Sequence, residues 1–248
     1  MSSNTQMNPQ TRFITFATGI FELSADRLGR QVAEFDCLDE FRKYTMETLK
    51  SETQFWKTHG DFIQQNSKGV GFWLWKPYLV LQNLDEMNDG DTLIYADAGC
   101  YLQTTGAPRL EELIQLSREH PSGIVAFNSE QPNQAMNKAD VFSLGPPGVE
   151  AKTQIVATAF IVTKNPQSTR FFQDFYEAAT RDNYHYLTDA PSRQPNHPTF
   201  QTHRHDQSIF TMLAYKHQIY ITPTDETWDG PAWTDKSKPI YAARRRGY

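Results

Sequence analysis

The sequence predicts a single α/β domain in which helices flank a central sheet. Short apolar runs rich in β-branched and aromatic residues alternate along the chain with segments whose apolar residues recur at helical spacing. Glycine and proline clusters separate these segments, and we see no internal repeat or clean domain boundary. The polar start MSSNTQMNPQ predicts a disordered tail over 1–10, followed by one domain over 11–248.

The first half of the chain is predicted to open with a strand. RFITFATG is β-branched and aromatic, and it ends at Thr18 in a small-residue loop of the kind that often meets a ligand. Apolar residues at helical spacing over 35–65 predict one helix or two. Pro77 suits the first turn of a helix over 78–87, and TLIYAD then reads as a buried strand that ends at Asp97.

The second half continues the alternation of helices and strands. RLEELIQLSREH predicts an amphipathic helix, GIVAFN a buried strand, TQIVATAFIVTK one long strand or a bent pair, and STRFFQDFYEAATR a helix. The segment 188–204 is rich in proline and polar residues, which indicates a long functional loop. HDQSIFTMLAYKH predicts a further helix and IYIT a late strand.

Composition disfavours several classes of function. The 248 residues carry a formal net charge of −5, so the chain has no general attraction to nucleic acid. Cys37 and Cys100 are the two cysteines, too few for a disulfide framework and typical of a reducing compartment. No apolar stretch approaches the roughly 18 residues that span a bilayer. We therefore expect a cytoplasmic protein without a transmembrane segment, and peripheral contact with a membrane stays open.

Asp97 and Lys76 are the first candidate ligand residues, and each has a plainer alternative. An Asp at the end of an apolar strand can reach a divalent cation or a ribose hydroxyl, or it can cap the next turn. Lys76 in GFWLWKP can place an ammonium on a phosphate, or it can belong to a buried aromatic anchor.

Two further motifs are rich in charge. HRHDQSIF crowds two imidazoles, a guanidinium and a carboxylate at a helix start, which suits a metal-bound diphosphate, whereas Asp206 alone suits an N-cap. The terminal ARRRGY can clamp an anionic leaving group through Arg244 to Arg246, or it can be a solvated tail. The chain has no Gly-x-Ser-x-Gly elbow and no phosphate-binding Gly-x-x-x-x-Gly-Lys-Ser/Thr loop.

Taken in order, GFWLWKP, GDTLIYADAG and HRHDQSIF resemble a group of bacterial and viral glycosyltransferases with the GT-A fold. The resemblance runs from about Phe13 to the C-terminus, with Phe72 where the group has Tyr, and LTDAPS also looks like the group. It implies a GT-A-like (Rossmann-like) domain with a mixed, mainly parallel central sheet flanked by helices. It also implies a hexosyl- or related transferase of polysaccharide biosynthesis. Such an enzyme moves a sugar from a nucleotide-diphosphate donor to a saccharide or lipid-linked glycan acceptor.

The resemblance also implies roles for individual residues. Asp97 takes the first position of the Asp-x-Asp signature, which binds the nucleotide sugar and its divalent metal, and Gly99 replaces the second Asp. Dependence on manganese or magnesium is therefore open, with Asp206 or His205 as the missing ligand. The predicted sets are Thr18, Lys76, Asp97, Arg204, Gln207 and Arg245 for donor binding, Asp97, His205 and Asp206 for metal, and Asp206 then Asp189 for catalysis.

Two other classes of function stay open at this point. A metal-dependent phosphoesterase or nucleotidyltransferase would use the same Asp, His and Lys side chains. A non-catalytic carbohydrate-binding module would use the abundant aromatic residues to stack on sugar rings, with Gly99 marking a lost metal site.

Overall fold

The computed structural model of the protein describes residues 9–228, 230 and 234–244. Its strands are β1 (Thr11–Phe16), β2 (Glu40–Tyr44), β3 (Thr92–Ala96), β4 (Tyr101–Leu102), β5 (Ile124–Pro132), β6 (Thr153–Thr163), β7 (Tyr220–Ile221) and β8 (Ile240–Tyr241). Its helices are α1 (Phe21–Val32), α2 (Met46–Ser51), α3 (Thr53–Gln65), α4 (Gly69–Phe72), α5 (Trp75–Glu86), α6 (Ala107–Glu119), α7 (Asn133–Met136), α8 (Pro166–Tyr184) and α9 (Asp206–Lys216). Short 3₁₀ turns cover Thr104–Gly106, Ala139–Leu144 and Val149–Ala151.

The central sheet has six strands in the order β2-β1-β3-β6-β5-β7. Strand β1 pairs in parallel with β2 and β3, and β5 pairs in parallel with β7. Strand β6 is antiparallel to both of its neighbours, β3 and β5. A second sheet consists of the antiparallel pair β4 and β8. The predicted class, a single mixed α/β domain with a mainly parallel sheet, is confirmed.

The order of the first three strands creates a crevice at one edge of the sheet. The chain runs from β1 to β2 on one side of β1, and it later places β3 on the other side. The carboxyl ends of β1 and β3 therefore flank a topological switch point, where open α/β sheets bind their ligands. Thr15 Oγ1 donates to the Ala96 carbonyl at 2.7 Å and ties these two strand ends together.

Alternating residues of the strands supply two hydrophobic layers. Ile14 and Tyr95 pack into the larger core, which includes residues of α5, α8 and α9, whereas Phe13 and Ile94 pack into a second core with residues of α1 and α6. All four of these strand residues are buried. The sheet is thus covered on both faces, which leaves the ends of its strands as the place for a ligand.

The prediction over 35–65 is wrong in part. Residues 40–44 form β2, helices α2 and α3 follow it, and α1 was not predicted. Strand β2 lies at the sheet edge and every residue in it is half buried, so it lacks a buried face and the alternation that marks one. Its Glu40 instead pairs with Arg12 of β1, with 2.6 Å between Oε2 and Nε.

The other predicted elements are present. Helices α5, α6, α8 and α9 correspond to the predicted helices, and α5 starts before the predicted position at 78. TQIVATAFIVTK forms one strand rather than a bent pair, and the segment 188–204 has no regular structure. In the ranges that the structure describes, no helix has both the length and the apolar character to cross a membrane.

Candidate active site

The short segment α4 is a left-handed turn, and it precedes α5, the helix that carries Lys76. The backbone φ angles of Gly69, Val70, Gly71, Phe72 and Trp73 are 56°, 54°, 78°, 53° and 62°. This conformation costs roughly 1–2 kcal/mol for each residue with a side chain. A Cβ at Gly69 would lie 2.4 Å from the Trp73 ring, so glycine is required there. Strain of this kind concentrates at functional sites, and here it sets the entry of α5.

Aromatic stacking then anchors the start of α5. The Trp75 ring stacks on Phe16 at the end of β1, with 4.0 Å between ring centroids, and its Nε1 donates to the Gly69 carbonyl at 3.1 Å. Trp75 is 3% exposed. The aromatic anchor that the sequence offered as an alternative is therefore present, and it directs the neighbouring Lys76 inward beneath the switch point.

Lys76 forms a buried cluster with two aspartates. Its Nζ lies 2.5 Å from Asp206 Oδ2 and 3.6 Å from Asp97 Oδ1, and it donates to the Ala157 carbonyl at 3.0 Å. The Lys76 side chain is 2% exposed. The three residues come from α5, from the end of β3 and from the first position of α9, so tertiary packing brings together what the sequence had selected separately.

Burial and charge set the protonation of this cluster. Burial lowers the pKa of Lys76, but the Asp206 and Asp97 carboxylates raise it to a net value above the ordinary one. Burial raises the pKa of Asp206 to about 6, although the Lys76 ammonium opposes that rise. Lys76 is therefore charged throughout the physiological range.

Asp97 has one oxygen bound inside the protein and one facing outward. Oδ1 accepts from the Tyr95 hydroxyl at 2.5 Å. Within the described ranges no hydrogen bond reaches Oδ2, and the side chain is 35% exposed. Its carboxylate does not cap the following turn. Burial, followed by the Asp97 charge, raises the pKa of Tyr95 well above its ordinary value, so the phenol stays a donor.

The segment after Asp97 is held from both sides. Arg27 Nη2 donates to the Cys100 carbonyl at 2.7 Å and approaches the Ala98 carbonyl at 3.4 Å. On the other side, a Cβ built on Gly99 would lie 3.1 Å from Arg244 Cα. The chain near the C-terminus thus passes directly over Gly99. Arg245, which was predicted to bind the donor, lies outside the described residues.

His205 and Asp189 lie together with Lys68 next to this cluster. His205 Nδ1 hydrogen-bonds the Leu187 carbonyl at 3.0 Å, and its Nε2 lies 3.6 Å from Asp189 Oδ1. Asp189 Oδ2 accepts from Lys68 Nζ at 2.9 Å, and its side chain is 56% exposed. Burial lowers the pKa of His205, so the imidazole is neutral near pH 7.

Arg204 has few partners for a half-buried guanidinium. Its Nε is buried without a hydrogen-bond acceptor among the residues that the structure describes, and Nη2 makes one long contact of 3.4 Å to Gln131 Oε1. No carboxylate of the described ranges pairs with it. An arginine left in this state is suited to an anion from outside the protein.

Gln207 and Thr18 differ in their surroundings. Gln207 Nε2 donates to Gln154 Oε1 at 3.1 Å and its Oε1 accepts from the Ala157 amide at 3.4 Å, so it links α9 to β6. Thr18 lies half buried after β1, at the switch point, and its carbonyl accepts from the Phe21 amide at 3.2 Å. Their predicted part in donor binding stays a prediction.

The side chains do not fit a resident divalent metal. Asp206 and Asp97 share the Lys76 ammonium, which lies between the two carboxylates. Among the residues described, no group of three or more His, Cys, Asp or Glu side chains is arranged to hold a metal ion.

Sequence reasoning missed the residues that hold the 188–204 loop. Lys138 is 2% exposed and donates to the carbonyls of Thr188 and Ala190, each at 3.0 Å, and to that of His185. Asp140 Oδ2 accepts from the Arg193 amide at 2.7 Å and lies 2.6 Å from His185 Nε2. We call Lys138, Asp140 and His185 the loop anchor. No local pattern around NKAD marks these partners, because all of them are distant in sequence.

Solved structures that match this chain include several glycosyltransferases. Mouse xyloside xylosyltransferase 1, in its apo form, is 13% identical over 94% of this chain and 97% of that chain, with a TM-score of 0.49. The galactosyltransferase LgtC, solved with donor and acceptor sugar analogues, is 11% identical over 93% of this chain and 86% of that one, with a TM-score of 0.44. A glycosyltransferase involved in glycosylation of the PBCV-1 major capsid is 11% identical over 74% and 72%, with a TM-score of 0.40.

Comparisons at the level of sequence find nothing. No protein-family model matches the chain, and no curated protein matches it.

Proposed function

We propose that the protein is a GT-A-type glycosyltransferase that moves a sugar from a nucleotide-diphosphate donor to a saccharide or lipid-linked glycan acceptor. The observation that carries the proposal is the position of Asp97 at the switch point between β1 and β3. One of its carboxylate oxygens is held by Tyr95 and Lys76, and the other accepts no hydrogen bond from the residues that the structure describes. A fixed acceptor at the carboxyl ends of parallel strands suits the hydroxyl groups of a ribose.

The surroundings of Asp97 suit the remaining parts of a nucleotide-sugar donor. Thr18 lies two residues after the end of β1, the strand that pairs with β3, and we assign it to the nucleotide. Arg204 has a buried Nε–H without an acceptor, which suits a diphosphate oxygen. We assign Lys76 to holding Asp97 and Asp206 in place rather than to the phosphates, because its three donors already have protein partners.

Sugar transfer needs negative charge to be stabilised on the departing diphosphate. The bond between the anomeric carbon and the diphosphate oxygen breaks with its electron pair on the diphosphate, and a new bond forms to the acceptor oxygen. The acceptor proton passes to a base and then to solvent. Arginine side chains aimed at the departing oxygen supply the required electrostatic stabilisation.

Asp189 is the better of the two carboxylates for the role of base. It is 56% exposed, whereas Asp206 is 8% exposed and bound to Lys76. Burial raises the pKa of Asp189, but the hydrogen bond from Lys68 lowers it to a net value below the ordinary one, so Asp189 is ionised near pH 7. We therefore propose Asp189 as the acceptor-side base and Asp206 as a positioning residue, which reverses the order suggested by sequence.

The finer assignments extend the proposal. We place the enzyme among hexosyl- or related transferases of polysaccharide biosynthesis in the cytoplasm, as its motifs suggest. The loop over 188–204 carries Asp189 and is fixed by the loop anchor, so it is suited to shape the acceptor site.

The first test is the variant Asp97→Asn. We expect it to lower kcat/KM for sugar transfer by about tenfold to a hundredfold, because the ribose hydroxyls lose a hydrogen bond to a charged acceptor. Its melting temperature should stay near that of the wild type, because Asn keeps an acceptor for the Tyr95 hydroxyl. Transfer would be measured with nucleotide-sugar donors of each base against a panel of free and lipid-linked saccharides.

Asp85→Asn is the matched control, since Asp85 is exposed on the same helix as Lys76. We expect it to leave transfer unchanged. Full transfer by Asp97→Asn would contradict the proposal. Release of free sugar or nucleotide at an equal rate without any acceptor would favour a phosphoesterase instead.

A further inference from the structure

Asp97 and Asp206, two of the three side chains that the sequence assigned to a divalent metal, each contact the Lys76 ammonium. Asp206 Oδ2 lies 2.5 Å from Lys76 Nζ, and Asp97 Oδ1 is shared between Tyr95 and the same ammonium. The Lys76 ammonium thus stands between the two carboxylates, which is where an ion bridging them would have to bind.

Displacing Lys76 from that position is unfavourable. Its side chain is 2% exposed, and it also donates to the Ala157 carbonyl at 3.0 Å. A metal bound to both carboxylates would leave this ammonium buried and unpaired beside a second positive charge. The barrier is electrostatic and does not depend on which divalent ion is offered.

The position of the second Asp in the Asp-x-Asp pattern is also covered. A Cβ on Gly99 would lie 3.1 Å from Arg244 Cα and 3.5 Å from its carbonyl carbon. The pairing of β8 with β4, in the register Tyr101 with Tyr241, holds this C-terminal segment in place. A carboxylate at 99 would therefore have to push the backbone of Arg244 aside, whereas glycine lets that backbone approach.

The same features bring positive charge toward the site. The C-terminal segment that excludes a side chain at 99 carries Arg244, which is exposed. Among the described residues, Arg204 Nε–H has no acceptor, and Arg204 lies two positions before Asp206.

Given the transferase activity proposed above, we propose that the protein binds the diphosphate of its donor without a divalent metal. Arg204 and Arg244 neutralise the phosphates, and Lys76 takes the place of the ion between Asp97 and Asp206.

The test measures binding of UDP, GDP, ADP and CMP to the metal-stripped full-length protein, in EDTA and in manganese chloride. We expect the base that binds to show the same dissociation constant in both conditions, within about threefold, and Arg204→Met to weaken binding about tenfold or more in both. Binding that is strengthened more than about tenfold by manganese would overturn the inference and leave the transferase proposal intact. If none of the nucleotides binds in either condition, the proposed function fails and the inference fails with it.

A second measurement needs no nucleotide. Manganese chloride alone should not raise the melting temperature of the wild type. In Lys76→Met, which removes the ammonium and frees both carboxylates, manganese should raise the melting temperature by several degrees, and Lys76→Met/Asp206→Asn should lose that gain. A manganese-dependent rise in the wild type would overturn the inference even if Lys76→Met fails to fold.

Discussion

Two lysines of this protein are equally buried and have opposite electrostatic surroundings. Lys76 and Lys138 are each 2% exposed. Lys76 contacts two carboxylates, which raise its pKa against the effect of burial. Lys138 donates to backbone carbonyls in the 185–190 segment, and burial, partly offset by Asp140, lowers its pKa to about 8.

The difference shows what each ammonium does. At the candidate active site the Lys76 ammonium balances the buried Asp206 carboxylate, so removing either side chain leaves the other buried and unpaired. In the loop anchor the ammonium serves as a set of donors with fixed directions, and it determines the path of the backbone. The carboxylates of the two regions differ in the same way. Asp206 is paired with a lysine, whereas Asp140 accepts a hydrogen bond from the backbone amide of Arg193.

The largest effect should come from Lys76→Met. It leaves the buried Asp206 carboxylate next to Asp97 without a cation, and we expect a loss of about 3–5 kcal/mol in the free energy of unfolding at pH 7. The loss should be smaller at pH 5, because Asp206 then takes up a proton. Urea unfolding at the two pH values measures both quantities.

The double variant Lys76→Met/Asp206→Asn is the control for this prediction. We expect it to recover most of the lost stability, since it removes the uncompensated charge. A double variant as unstable as the single one would show that packing of the lysine stem, and not charge, accounts for the loss.

The two aspartates should give opposite slopes of stability against pH. Between pH 4 and 6 the native state keeps a proton on Asp206 that the unfolded state has lost, because the pKa of Asp206 is raised to about 6. Stability therefore falls as pH rises through that range, by up to about 3 kcal/mol, and Asp206→Asn should remove the fall.

Asp140 has its pKa lowered to about 2, because hydrogen bonds from Arg193 and His185 outweigh the opposing effect of burial. Its contribution, about 2 kcal/mol, is present above pH 4 and lost between pH 4 and 2, and Asp140→Asn should remove that loss.

Unfolding free energies of the wild type and the two variants, measured from pH 2 to 7, test these signs. If Asp206→Asn and Asp140→Asn change the profile in the same direction, the two clusters are not electrostatically distinct.

The smallest effect should come from Lys138→Met. Loss of the ammonium leaves backbone carbonyls of the 185–190 segment without a donor, at a cost of about 1–3 kcal/mol, while removal of a buried charge offsets part of it. Amide hydrogen exchange should increase across 185–196 and stay unchanged in β1 and β3. Lys216→Met, at a site 52% exposed, is the control and should change stability by less than about 0.5 kcal/mol. If Lys138→Met increased amide hydrogen exchange equally in all parts of the protein, the role of the loop anchor would be contradicted.

The sequence was sufficient to select the members of the cluster but not their pairing. Asp97 was recognised by its position at a strand end, and Lys76 and Asp206 by their motifs, yet Lys76 and Asp206 are 130 positions apart. Contact between them depends on the packing of α5 against α8 and β3 and of α9 against β6, which no local pattern records. The contact between Tyr95 and Asp97 could have been predicted from the sequence, because residues two positions apart on a strand lie on the same side of it.

Other features left no usable signal in the sequence. Strand β2 consists of charged and aromatic residues at a sheet edge, so its composition resembles a helix surface. The glycine at 99 looked like a lost metal ligand, and only the path of the chain at Arg244 gives its physical reason. The loop anchor joins Lys138 and Asp140 to residues about fifty positions later in the chain.

The pairing of β4 with β8 has a consequence for how the protein reaches its active form. Tyr101 follows closely after Asp97, and its partner Tyr241 lies near the end of the chain. Contacts between such distant residues form slowly, because a long loop must close first. A ribosome must also release residues as far as Tyr241 before β8 can add to β4. We therefore expect the sheet and its two cores to assemble first and the segment over Gly99 to dock later, so that the candidate active site is complete only after β8 has paired with β4.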